Sequence, residues 1–361
     1  MNFYGIKQSE LEDWLKIKDY PLSHARRIFQ LAYKEKINFI HSEILSNKLV
    51  ANLPAQLLHD LANEFDFSLP KIKTAHQSQD KTIKLLLEFN DGKSVETVLI
   101  PFHHKHTICL STQVGCAMNC SFCYTGTQGL TRHLEPHEIV GLYLVTYMYF
   151  ETSSGQKQIK PNIVYMGQGE PLHNFDNVKK ATEIFLETFG IELGPRNITL
   201  STAGFLPGLE RFHEFPRINV ALSLHSALDE KRNKLIPLNQ KYPLGEILGT
   251  LEKLPRLKRQ YIMCEYLLIK DFNDSLEDAK ALIEIVKNLP VIINLIPFNP
   301  FPGSIYQRPS KESVDQFKVW LENFDIPTMI RTTKGDEILA ACGQLYIDEL
   351  NKKNKKPVTQ I

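Results

Sequence analysis

The 361-residue chain has almost no net charge: 42 Lys and Arg stand against 41 Asp and Glu, a formal charge of +1. The global basic field that drives nonspecific nucleic-acid binding is therefore missing, and any RNA-facing surface has to be a local patch. Long apolar runs are missing as well. The longest, residues 139–150, falls short of the ~20 residues that span a bilayer. The opening MNFYGIKQSELEDW shows no apolar core of a secretory signal. A cytoplasmic protein without membrane segments is the expectation. Cysteine is scarce, with six residues: Cys109, Cys116, Cys120, Cys123, Cys264 and Cys342. Four of them crowd between 109 and 123, and in a reducing compartment such crowding points to metal or catalysis rather than to structural disulfides. What is present in ordinary measure is apolar content, 43% against 23% charged, which excludes disorder for most of the length.

Apolar spacing divides the chain. Residues 1–66 read as a small helical accessory domain. Ser9 and Glu12 form a capping-box pattern ahead of Leu11, Trp14, Leu15 and Ile17. Helical spacing then recurs over 25–32, 44–50 and 54–65. Charges nearly balance in this part; Arg26, Arg27, Lys34 and Lys36 could line one basic edge, although a solvated face is the plainer reading. Residues 67–101 read as a connecting β-hairpin, with strands over 82–89 and 94–102 around the turn Asn90-Asp91-Gly92. From 102 to 345 strands are expected at 107–111, 162–166, 197–201, 219–224, 261–269, 291–296 and 328–331. Helices are expected between most of them, at 136–150, 174–189, 276–288 and 311–324. Such alternation implies an α/β fold with a parallel, barrel-like sheet whose site lies at the C-terminal strand ends. Residues 346–361 read as a basic tail with four lysines between 351 and 356.

The sequence Cys116-Ala-Met-Asn-Cys120-Ser-Phe-Cys123 follows directly on an expected strand. Three thiolates at C-x3-C-x2-C spacing cannot pair as unstrained disulfides, yet they can converge on one inorganic centre. A zinc ion would need a fourth ligand such as His106 or Cys109, whereas a four-iron cluster held by three cysteines leaves one iron open. His103, His104 and His106 suggest metal by composition, but a solvated loop is the plainer reading.

With Phe122 before its last cysteine, this motif at the first strand of a βα repeat resembles the radical S-adenosylmethionine superfamily. The stretches CLSTQVGCAMNCSFC, MGQGEPLHNFDNV, LSTAG, SLHSALDEKRNKLIPLN, NLIPFNPFPGS and AACGQL are similar to the adenine-C2 RNA methyltransferase family (RlmN type) and its C8-methylating relative (Cfr type). The segment Phe298-Asn299-Pro300-Phe301-Pro302 looks more like the C2 branch. The resemblance implies a partial (βα)6 radical-SAM barrel with the helical domain in front. Its cofactors would be a [4Fe-4S] cluster on Cys116, Cys120 and Cys123 and two S-adenosylmethionines per turnover.

It further implies that Cys342 accepts a methyl group and, after hydrogen abstraction, bonds to an adenine ring carbon, while Cys109 releases the RNA by forming a Cys109–Cys342 disulfide. Glu96 matches the family's acid–base group. Gly169, Glu170, Ser201, Ser223, Leu224, His225 and Asn299 match the positions that bind S-adenosylmethionine. The implied partners are 23S ribosomal RNA, tRNA and an electron donor such as flavodoxin, with the enzyme a monomer. The alternatives are the C8-methylating activity and a non-catalytic iron–sulfur RNA-binding protein. Two positions depart from the family pattern: Gln168 replaces a methionine between two glycines, and Tyr124 stands where a small residue is usual. Cys264 matches no motif and reads as core.

Overall fold

The structure, a computed structural model, describes residues 1–36, 50, 52–102, 105–154, 160–255 and 260–346. The helical stretch expected at 44–50 lies outside the described residues apart from Val50, as do His103, His104 and the lysine-rich tail.

The first part forms helices α1 (Gln8–Ile17), α2 (Ser23–Phe29) and α3 (Ala55–Glu64). Leu11, Leu15, Ile28, Phe29, Leu57 and Leu61 point inward around Phe3, whose ring stacks on Phe67 at 4.7 Å. The cap of α1 differs from the sequence expectation. The helix begins at Gln8, so Ser9 already lies in the first turn, and Glu10 receives the Lys7 backbone N–H at 2.7 Å. A carboxylate three residues past the true cap satisfies that donor, and the Ser9–Glu12 pair falls two helical positions too late to do so. Nor do the basic residues form an unpaired row. Lys34 pairs with Glu192 at 2.9 Å, Lys36 with Glu151, and Arg26 lies over the Phe189 ring at 5.0 Å.

The central sheet starts with three antiparallel strands, β1 (Lys71–Gln77), β2 (Ile83–Glu88) and β3 (Ser94–Pro101), and β3 pairs antiparallel with β4 (His106–Cys109). The hairpin is thus part of the sheet, extended by a strand that the sequence did not suggest. A small ribbon follows, β5 (Gln113–Gly115) with β6 (Leu130–His133), and the cysteine motif lies in its connection. Then come β7 (Asn162–Tyr165), β8 (Ile198–Thr202), β9 (Asn219–Ser223), β10 (Ile262–Leu268), β11 (Val291–Pro297) and β12 (Thr328–Ile330).

From β4 through β12 the main-sheet strands run parallel in sequence order, and no pairing joins β1 to β12 among the described residues. Helices α4 (Pro136–Ser154), α5 (Phe175–Leu186), α6 (Leu206–Glu210), α7 (Asp229–Leu235), α8 (Leu244–Lys253), α9 (Leu276–Val286) and α10 (Lys311–Glu322) fill the crossovers. Six strand–helix units and a seventh strand make an open, partial (βα)6 barrel. No helix among the described residues is long and apolar enough to cross a membrane.

Candidate active site

Two adjoining cavities open at the C-terminal ends of the parallel strands, where backbone carbonyl ends and loop side chains converge. The smaller, about 130 Å³, is lined by Cys116, Cys120, Cys123, Gly169, Glu170 and Ser201, and also by Ser223 and His225. The cysteine loop is tied down at both flanks: Cys116 N–H donates to Gly129 O at 2.9 Å, and Ser121 N–H to Leu235 O at 3.0 Å. Burial pushes the Cys116 thiol up to about 12 and raises Cys123, while Cys120 is raised further by the charges of the other two. Three such thiols become thiolates together only around a strongly cationic centre.

The loop after β7 enters the same cavity. A Cβ on Gly167 would stand 2.7 Å from the Leu110 backbone, and Gly169 adopts φ +105°, so both positions require glycine. Glu170 is buried there, its carboxylate receiving Ala203 N–H at 2.8 Å and Leu172 N–H at 3.0 Å. No lysine or arginine pairs with it among the described residues, and burial raises its pKa to about 7. His225 is neutral: burial, then the nearby Arg232 charge, lower it to about 3. Its Nδ1 accepts Leu267 N–H at 3.1 Å, which leaves the ring proton on Nε2. Ser201 and Ser223 hydroxyls lie 3.5 Å apart. Leu224, expected among the cofactor contacts, lines neither cavity: its N–H donates to Glu265 O at 3.0 Å and its side chain packs in the core.

The larger cavity, about 380 Å³, is lined by Cys109, Cys342, Glu265, Asn294, Asn299 and Arg331 among others. Cys342, Glu265 and Arg331 line both cavities. Cys342 remains solvent-accessible, and burial, which raises its thiol pKa, is opposed by the Arg331 guanidinium. Cys109 is buried on β4, pushed up to about 12 by burial and by Cys342. Asn299 holds the segment in place, donating to Cys342 O at 3.2 Å and receiving Arg308 Nη2 at 3.1 Å. Glu96 lines neither cavity. Its carboxylate pairs with Lys84 at 2.9 Å and receives Tyr346 N–H at 2.8 Å, in a separate hollow lined also by Tyr124 and Gln344. His106 packs edge-on against Phe150 at 4.6 Å and lines neither cavity. Cys264 is core, as expected.

Comparison with known proteins agrees with this geometry. The Radical SAM superfamily matches residues 110–284. A relative in Akkermansia muciniphila named probable dual-specificity RNA methyltransferase RlmN is 42% identical over 316 residues, covering 85% of this chain and 86% of its own. A Francisella tularensis protein named dual-specificity RNA methyltransferase RlmN is 36% identical over 363 residues, 99% of this chain and 96% of its own. The chain belongs to the RlmN family. The solved structure of a radical SAM methyltransferase from Sphaerobacter thermophilus is similar throughout, with a TM-score of 0.86, 35% identity and coverage of 96% of this chain and 99% of that one.

RlmN-family membership brings with it a [4Fe-4S] cluster and S-adenosylmethionine, and the residues present fit both. Among the described residues no three Cys, His, Asp or Glu groups could hold a single metal ion. Three half-buried thiols around one hollow suit a polynuclear group, whose ligands stand further apart. Glu170, buried without a cation, offers a place for the ammonium group of a methionine moiety.

Sequence reading missed three residues of the RlmN site. Glu265 and Arg331 sit in apolar strand patterns that mark them as core. Arg232 is fully buried and donates to Leu224 O at 3.0 Å, Ala203 O at 2.8 Å and Ser223 O at 3.1 Å. It locks the ends of β8 and β9, and its place in SLHSALDEKRNKLIPLN was the available signal. The departure Gln168 is also accounted for: its side-chain oxygen receives Glu96 N–H at 3.1 Å, linking the glycine loop to β3.

Proposed function

We propose that this RlmN-family enzyme methylates C2 of an adenine in large-subunit ribosomal RNA and in tRNA, drawing electrons from a small redox protein. The observation that supports the reading is the placement of Cys342 on the wall common to both cavities, with Cys109 lining the larger one. A bound cluster supplies the electron, and S-adenosylmethionine the methyl group and the hydrogen-abstracting power, that an electron-poor ring carbon requires. Cys342, as thiolate beside Arg331, takes up a methyl on sulfur from one side. The target base enters from the other side, into the larger cavity, and becomes bonded to the carbon carried by that sulfur. Gly167 and Gly169 let the loop backbone approach the smaller cavity's guest, and Glu170, Ser201, Ser223 and His225 supply its polar contacts. Cys109 thiolate then attacks the Cys342 sulfur. The sulfur–carbon bond breaks, its electron pair passes to the departing carbon, which takes up a proton to become the methyl group, the RNA leaves, and the two cysteines are left as a disulfide that an external reductant reopens. Glu96 acts as acid–base group only if the Tyr346 backbone and Lys84 release it. The similarity of the 294–304 segment to the C2 branch favours 2-methyladenosine over the 8-methyl isomer.

Chromatography of digested RNA against both synthetic standards tests the product, since the isomers share a mass. Co-elution with 8-methyladenosine would replace this reading. Cys342→Ala should be inactive yet keep its cluster. Cys109→Ala should stall with RNA covalently attached, seen on a denaturing gel as a shifted protein band that ribonuclease removes. The band should vanish in the double variant. Full turnover by Cys109→Ala would refute the releasing role.

A further inference from the structure

Glu265 is an anomaly that the functions assigned above do not use. It lies on β10, paired in register with Ser223 on β9 and Asn294 on β11. The residue is 3% exposed, and its side chain lines both cavities. One carboxylate oxygen, Oε2, receives Asn294 Nδ2 at 2.7 Å. The other, Oε1, is buried without any hydrogen-bond partner among the described residues. Arg331 acts on the carboxylate through its charge, but no ion pair joins them; its Nη1 lies 3.9 Å from Met166 Sδ instead. An acceptor buried without a donor opposes folding unless a ligand supplies one, so Oε1 of a residue lining both cavities marks a place for an N–H or O–H guest.

Which guest follows from the two cavities' linings. In the smaller one, Glu170, Ser201, Ser223 and His225 already offer acceptors and donors to a nucleoside and a methionyl group. In the larger one, Ile100, Phe102, Val164 and Met263, none of which lines the smaller, form apolar walls suited to the faces of a flat ring. Of the buried polar residues that line it, Glu265 and Asn294 are joined side chain to side chain.

We propose that Glu265 reads the exocyclic amine of the target adenine. This rests on the reading that an RNA adenine enters the cavity shared by Cys342 and Cys109. Adenine presents an N–H at that position and satisfies Oε1. Guanine presents a carbonyl oxygen there, which faces the carboxylate acceptor to acceptor, and purine presents nothing. Sites built to accept a hydrogen bond reject analogues that lack the donor far more strongly than apolar pockets reject a missing methylene. Glu265 is thereby a specificity-determining residue, separate from the cysteines that make and break the bonds.

The test uses full-length, cluster-loaded enzyme without reductant, so that no turnover occurs, and labelled RNA hairpins carrying adenine, purine or guanine at the target position. Wild-type enzyme should bind the adenine hairpin at least about tenfold more tightly than the other two by fluorescence anisotropy. Glu265→Met should bind adenine and purine hairpins equally. Glu265→Gln, which keeps an acceptor oxygen, should restore part of the preference. Affinity for S-adenosylmethionine, by equilibrium dialysis, should stay within about twofold in both variants. Equal binding of adenine and purine hairpins by the wild type overturns the proposal, whether or not the variants fold. So does a Glu265→Met enzyme that keeps the preference, or one that loses S-adenosylmethionine affinity with the preference intact. A wild type that makes no 2-methyladenosine in any RNA defeats the proposed function instead. One that makes it without depending on the amine defeats only the role of Glu265.

Discussion

Arg331 sets the reactivity of the thiol beside it. Burial raises the Cys342 pKa, the guanidinium lowers it, and the charges of Glu265 and Cys123 raise it again. Removing the cation therefore leaves only influences that hold the proton on sulfur. Arg331→Met should move the pH profile of Cys342 alkylation upward, slowing iodoacetamide trapping near pH 7. Mass spectrometry of the peptide carrying Cys342 reads this directly. An unchanged profile would show that the charge is screened from the thiol. Neither Arg331 nor Glu265 was legible in the sequence. A single acid in IMCEYLL, or an arginine after a short strand, looks like any strand residue until the fold turns it toward a cavity. The cysteine motif was legible for the opposite reason, since a cluster demands one residue type at fixed spacing within one loop.

At the scale of elements, the segment that carries Cys342 has no regular structure and is fastened by side contacts. Tyr124 N–H donates to Gly343 O at 2.7 Å, Thr125 Oγ1 to Leu345 O at 2.7 Å, and Gln344 Nε2 to Pro300 O at 2.8 Å. The Tyr124 ring lies between Tyr346, at 3.8 Å, and Phe301, at 4.9 Å, nearly parallel to both. The departure from a small residue at 124 thus adds an aromatic clamp between the cysteine loop and the catalytic segment. Tyr124→Ala should cost about 1–3 kcal/mol of local fastening, at ~0.5–1.5 kcal/mol for each ring pair. Amide exchange over residues 343–346 should quicken by tenfold or more, with exchange in β7 to β11 and the cluster absorbance unchanged. Uniform quickening across the sheet would mean that Tyr124 supports the whole fold and not this segment. Legibility at this scale followed burial. Strand β2 alternates buried and half-buried residues and was visible in the sequence. Strand β1 is exposed along its whole length, so no apolar rhythm announced it, and only pairing with β2 makes it a strand.

Across the whole molecule, the alternation of strand and helix foretold the parallel sheet and the end at which the site would lie. It could not foretell which acids would be stranded there without a cation, because that depends on how strand ends meet. Glu170 is the clearest case. Its carboxylate has two backbone donors and no ion-pair partner among the described residues, and burial, the largest influence, takes its pKa from the ordinary 4.5 to about 7. Between those values the folded chain keeps a proton that the unfolded chain has released. Stability therefore falls as pH rises through this window, by about 3 kcal/mol once Glu170 is ionised in the fold. Glu170→Gln cannot ionise and should lose much less stability between pH 5 and pH 8. A guest ammonium group beside the carboxylate offsets the same cost, so S-adenosylmethionine should raise the melting temperature of the wild type more at pH 8 than at pH 5. In the variant that pH dependence should largely disappear. Melting curves at the two pH values, with and without the cofactor, decide the matter. An equal pH dependence in wild type and variant would assign the effect to another buried acid, of which Glu265, also raised by burial, is the first to examine.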